Sequence, residues 1–213
     1  STLQMELVDV SCGGATTAHL LGPWNELPPQ IEAIRPDTRL VTVTIGGNDI
    51  GYVGGLMMAS CRAGVSFGKR PCPPGTPAQE ARYRQVEANL RAFSRRISAM
   101  APRARLIFVQ YVTLVPNVSC AAAPISPDDA AANRAIGLRL ARITSRAARE
   151  TGALVLSADK LSRDHDPCST VPWSKGMSLH PTGEPGSPWH PNADGHAAIA
   201  EALARWFDSS RRR

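Results

Sequence analysis

Three short segments of the 213-residue chain carry the residue types needed to steady negative charge on an oxygen and to move a proton. The first reads Cys12, Gly13, Gly14, Ala15, Thr16, Thr17. Its glycines let a backbone N–H come close to a developing oxyanion, and a plain tight turn is the competing explanation. The second, Gly46, Gly47, Asn48, Asp49, closes a β-branched run. The Asn48 amide offers two N–H donors to the same oxygen, and an Asx-type turn accounts for it equally well. Asp49 reads better as a brace that accepts backbone hydrogen bonds than as a participant. The third segment runs from Trp189 through His190, Pro191 and Asn192 to His196. His190 stands just outside a helix that Asn192 can cap, where an imidazole can take a proton from a hydroxyl nucleophile and return it to a leaving alcohol. A structural histidine is the alternative there. His180, which also precedes a proline, is the rival base, whereas His196 falls inside the helix and packs or faces solvent. Asp164 and Asp166 around His165 adjoin Pro167 and Cys168 and read as turn formers.

The elements that must position these groups follow from hydrophobic period. Residues 39–45, RLVTVTI, predict a buried strand ending at the Gly46–Gly47 turn, and residues 5–10 allow another short strand ahead of the first glycine segment. Val86, Leu90, Phe93 and Ile97 recur at spacings of a helix face, predicting an amphipathic helix over residues 81–100. Leu106, Ile107, Phe108 and Val109 form a second strand. A loop with Pro116 and Cys120 follows, then a helix through Ile136, Leu140 and Ile143. A third strand at residues 153–156 precedes a long polar stretch, and a last helix presents Ile199, Leu203, Trp206 and Phe207 on one face. Strands alternating with helices predict an α/β fold, a parallel sheet covered on both sides, within a single domain spanning residues 1–213. Residues 52–77, rich in Gly and Pro, predict a long loop whose Leu56, Met57, Met58 and Phe67 line an apolar pocket.

Composition narrows the partners. The net charge of +6 resides largely in arginines on predicted helices and in the tail Arg211, Arg212 and Arg213, which argues for solvated faces rather than a nucleic-acid footprint. No run approaches the roughly 18 apolar residues of a membrane span. Five cysteines without CxxC or HxxxH spacing exclude a metal-site pattern and fit two disulfides with one cysteine left over, hence periplasmic or extracellular surroundings.

Together, SCGGATT, VTVTIGGNDIGY and WHPNADGHAAIA resemble the ordered blocks of the SGNH hydrolase superfamily, specifically its secreted bacterial GDSL-like lipase and esterase branch. The resemblance covers nearly the whole chain. It implies a three-layer α/β/α flavodoxin-like fold and hydrolysis of a small-molecule or lipid ester by acyl transfer, without a cofactor. Gly14 and Asn48 would form the oxyanion hole, with His190 as base. It further implies disulfides pairing Cys61 with Cys72 and Cys120 with Cys168, and for Cys12 a partner outside the chain. Relatives often place an aspartate three residues before the histidine. Here Ser187 stands there, so its carbonyl is expected to orient His190 in a dyad.

One block departs from that pattern. The family's GDS block, with the nucleophilic serine after the first strand, has no counterpart between Ser1 and Ser11, so the nucleophile and that strand are expected upstream of Ser1. Ser11 and Ser1 are the local substitutes. Without a central strand its neighbours would keep unpaired backbone groups, so the chain is expected to fold poorly unless a companion N-terminal segment binds. Two further readings stand beside an esterase: a carbohydrate acetylesterase using the same machinery, and a non-catalytic remnant lacking its nucleophile.

Overall fold

The computed structural model describes residues 5–65, 72, 78–178 and 186–211; His180, Phe67 and Ser1 lie outside the described residues. Three strands build one parallel sheet in the order β1 (Leu40–Val43), β2 (Arg105–Val109), β3 (Leu154–Leu156). Val41 sits opposite Leu106 and Val43 opposite Phe108, while Phe108 also faces Val155. The middle strand is the driest element: Leu106, Ile107, Phe108 and Val109 are all buried. An unbroken apolar run is what a strand covered on both faces requires, each such side chain stabilising the fold by about 1.5–3 kcal/mol.

The helices connecting these strands begin and end where their sequences dictate. Helix α2 (Glu80–Met100) buries Val86, Leu90, Phe93 and Ile97, the stripe read from the sequence. Helix α3 (Pro127–Thr151) starts at Ser126, whose hydroxyl accepts from the Asp129 N–H at 3.1 Å, with Pro127 at the first helical position. It stops at Gly152, which takes the left-handed conformation at φ 73° that favours glycine. Helices α2 and α3 pack on each other. A short helix α4 (Ala158–Leu161) follows β3, and α5 (Ala193–Arg211) lays Ile199, Leu203 and Trp206 against the core, with the Arg105 guanidinium 5.7 Å from the Trp206 ring centre. The mixed α/β class with a parallel sheet is thus as the alternation of periods predicts.

Two local expectations are corrected. Residues 52–62 are not loop but helix α1 (Tyr52–Arg62), burying Tyr52, Leu56 and Ala59 against α3. Gly54 and Gly55 disguise the helical spacing, yet Gly55 serves close packing, since a Cβ there would meet the Asn133 side-chain oxygen of α3 at 3.2 Å. Leu56 is therefore core rather than pocket lining. Residues 5–10 form no strand: Leu7 and Val8 are exposed and the segment pairs with nothing in the sheet. Both disulfides, Cys61–Cys72 and Cys120–Cys168, are formed as expected, and Cys12 is a free thiol.

Candidate active site

The glycine loop and the turn after β1 are sewn together directly. The Asn48 Nδ2 donates to the Ala15 carbonyl at 2.8 Å, leaving its second N–H without a partner among the described residues. The Asp49 carboxylate accepts from the Thr17 N–H at 2.9 Å and from the Thr17 hydroxyl. Asn89 of α2 in turn donates to that hydroxyl at 2.9 Å. Asp49 thus braces the loop. Gly14 is exposed at φ 86°, and its N–H donates to nothing among the described residues. It rests on the Trp24 ring, where a Cβ would come to 3.1 Å, and His19 stacks on the same ring at 5.1 Å. Two N–H donors on one rigid pair of loops form an arrangement able to receive an oxyanion.

His190 is held from the other side. Trp189 is fully buried with φ 57°, a conformation rare for a bulky residue, and it turns the exposed His190 ring back on its own chain. The His190 Nδ1 lies 2.8 Å from the carbonyl of Pro188, which replaces the Ser187 carbonyl expected from sequence. A carbonyl can only accept, so this contact holds a proton on Nδ1 and, in the neutral ring, leaves the lone pair on Nε2. Asn192 caps α5 by accepting from the Gly195 N–H at 2.9 Å and also donates to the Pro172 carbonyl.

The two halves meet on the chain that follows β2. The Gly47 N–H donates to the Tyr111 hydroxyl at 3.0 Å, fixing the Asn48 turn. Two residues on, the Thr113 carbonyl accepts from the Ser174 hydroxyl at 2.8 Å, and Lys175 exchanges backbone hydrogen bonds with Trp189 and His190. No hydrogen bond links His190 to Asn48 directly among the described residues. Tyr111, Thr113 and Ser174 were not singled out in the sequence; the only sign of them is that polar residues directly follow a strand end. Burial pushes the Tyr111 and Tyr52 hydroxyls above the usual phenol range, so both stay protonated at neutral pH, and the two rings meet edge-on at 5.9 Å.

The remaining sequence candidates fall elsewhere. Ser11 is exposed, its hydroxyl spent on Asp9, whose carboxyl it holds below the ordinary range. His196 is exposed on α5. His165 stacks on Trp173 at 4.0 Å, and Asp166 accepts from the Asn117 and Cys168 N–H groups, the turn role its neighbours suggest. A cavity of about 390 Å³ lies beside the site, between the end of β2 and α3, lined by Val43, Leu114, Leu138 and Leu140 among others. Tyr111 and Thr113 form part of its wall, but Gly14, Asn48 and His190 do not.

Residues 1–198 match the GDSL-like Lipase/Acylhydrolase family. The chain belongs to that family. Among relatives of the GDSL-like chain, Lipase 2 of Streptomyces coelicolor is 33% identical over 213 residues, covering 94% of this chain and 70% of the relative. A lipase of Streptomyces rimosus is 25% identical over 88% of this chain and 65% of its own length. The fold of the GDSL-like chain is that of the extracellular lipase of S. rimosus (TM-score 0.64, 23% identity, 88% of this chain and 74% of that one). It is equally that of phospholipase A1 from Streptomyces albidoflavus (TM-score 0.65, 23% identity, 89% and 75%). Members of this family are carboxylic ester hydrolases, and the chain is one by descent.

Proposed function

We propose that the protein hydrolyses carboxylic esters by acyl transfer, with His190 Nε2 as the base and the Gly14 N–H and Asn48 Nδ2 as oxyanion donors. The observation that supports this reading is the direct bond between the Asn48 side chain and the glycine loop, which ties both candidate N–H donors to one frame. The attacking oxygen is a serine on a segment that adds to the free side of β1. That strand pairs only with β2 among the described residues, and a parallel strand laid beside it would end next to Asn48, at the crevice where α/β sheets place their chemistry. His190 accepts the serine proton as the oxygen bonds to the ester carbon. The tetrahedral oxyanion is held by the two N–H groups, the proton passes to the departing alcohol, and water repeats the cycle on the acyl-serine.

The apolar cavity beside Tyr111 favours acyl and aryl esters over acetylated sugars as substrates. Two disulfides, together with the extracellular origin of the S. rimosus relative, support secretion; no helix among the described residues is long and apolar enough to cross a membrane. The test is labelling of the natural protein with an organophosphonate serine probe, followed by peptide mapping. One serine adduct that requires His190 is expected, with hydrolysis of aryl esters of increasing chain length outrunning that of acetylated xylose. Absence of any adduct would leave a binding remnant as the correct reading.

A further inference from the structure

The geometry points to a second binding site, between α2 and α3, for a single-chain amphiphile with an anionic head and a hydroxyl at its neck. Helices α2 and α3 carry ten arginines, no lysine and five carboxylates. Between them opens a cleft of about 710 Å³. Part of its charge is neutralised internally: Arg139 pairs with Glu80, and the buried Glu87 accepts from both Arg91 and Arg146. Arg142 and Lys160, which also line the cleft, have no side-chain hydrogen bond or ion pair among the described residues. Arg84 and Arg149 are drawn only at longer range toward Glu80 and Glu150. Six cations against three carboxylates, Glu80, Glu87 and Asp159, leave the concave lining with net positive charge, which focuses its field, and guanidinium groups match phosphate oxygens in pairs. Arg139 is fixed besides by the Tyr83 ring, 3.8 Å below it, so that wall is ordered before any ligand arrives.

The cleft adjoins the apolar cavity at Gln110, Leu138, Ala141 and Asp159, each of which borders both spaces. A phosphate-sized head in the cleft therefore places an aliphatic tail at the cavity, whose lining is mixed but includes Val43, Leu90, Phe108 and Leu140. At the seam, Asp159 Oδ1 is buried without a hydrogen-bond partner. A lone buried carboxylate oxygen calls for a donor, which is why the ligand carries a neck hydroxyl. Gly14, Asn48 and His190 line neither space, so occupancy does not require ester chemistry.

Isothermal titration calorimetry with the ether lipid 1-dodecylglycerol 3-phosphate, which has no carboxylic ester to cleave, tests this directly. The intact lipid is expected to bind at least about tenfold more tightly than inorganic phosphate or 1-dodecylglycerol alone. Arg142→Ala and Lys160→Ala should each weaken it by about tenfold, the usual loss for one charge-assisted contact. Leu138→Asp, at an exposed position on the seam, should abolish binding while leaving the melting temperature intact. Equal affinity for phosphate alone, or unchanged affinity in all three variants, overturns the inference. Binding retained in a protein that hydrolyses no ester would instead count against the proposed function alone.

Discussion

The Gly47 backbone N–H donates to the Tyr111 hydroxyl at 3.0 Å, so the turn that carries Asn48 hangs from a buried phenol on the neighbouring strand's exit. A side chain on Gly47 has no room: its Cβ would lie 2.5 Å from the Tyr111 oxygen and 2.7 Å from Cζ. Gly47→Ala is expected to cost about 1–3 kcal/mol by overpacking, and Tyr111→Phe about 1 kcal/mol through the lost hydrogen bond. Thermal melts check both, at roughly 2–4 °C per kcal/mol for a chain of this size.

Asn48 and Asp49, adjacent in sequence, should separate cleanly by phenotype. Asn48→Ala removes an oxyanion donor and should lower kcat on the order of a hundredfold to a thousandfold with little change in KM. Asp49→Ala removes the acceptor for the Thr17 N–H and hydroxyl, so its main effect should be a lower melting temperature. Turnover of an aryl ester, measured beside a melt for each variant, distinguishes the two.

At the other half of the site, His190→Ala should abolish turnover. Asn192→Ala should remove the α5 cap at a cost of about 1 kcal/mol and lower turnover partly, because the Pro172 carbonyl also loses its donor and the His190 loop loosens. Equal kcat in Asn192→Ala and the parent would show that the cap does not steady the base.

The two disulfides should differ in weight. Cys120–Cys168 spans 48 residues and Cys61–Cys72 only 11. Chain-entropy reasoning assigns about 4 kcal/mol to the first and about 3 kcal/mol to the second. Denaturant unfolding of paired Cys→Ser variants should therefore show the larger loss for the 120–168 pair.

Acid should weaken the contact between α1 and α3. Arg62, with help from Ser126, holds the Asp129 carboxyl below its ordinary value. A folded pKa lower than the unfolded one, about 3.9 for aspartate, gives stability that is present above that value and lost as pH falls toward the folded one. Asp129→Asn should cost under about 1 kcal/mol at pH 7, since the pair is partly exposed, and should flatten the melting temperature's dependence on pH below about 4.

How far the sequence foretold this structure depends on the kind of signal. A β-branched run located β1, apolar runs located β2 and β3, and the four-three-four spacing of Val86, Leu90, Phe93 and Ile97 located α2, because burial leaves a direct imprint on residue type. Helix α1 was hidden because its close approach to α3 is achieved with Gly55, a residue that normally marks loops. The brace role of Asp49 and the cap at Asn192 were legible, each being a local contact with a known side-chain preference. Tyr111, Thr113 and Ser174 were not, since they act across separations of 61 and 64 residues that no local pattern encodes. The Pro188 contact to His190 depended on one backbone angle at Trp189, which a bulky residue gives no reason to anticipate.

Because Gly47 and Ser174 are both moored within residues 111–113, one short length of chain serves as the common datum for the proposed base and oxyanion donor, which come from opposite ends of the sequence. A drift of that length carries both sets along together. A substitution that shifts residues 111–113 is therefore expected to disturb the Asn48 turn and the His190 loop in one stroke.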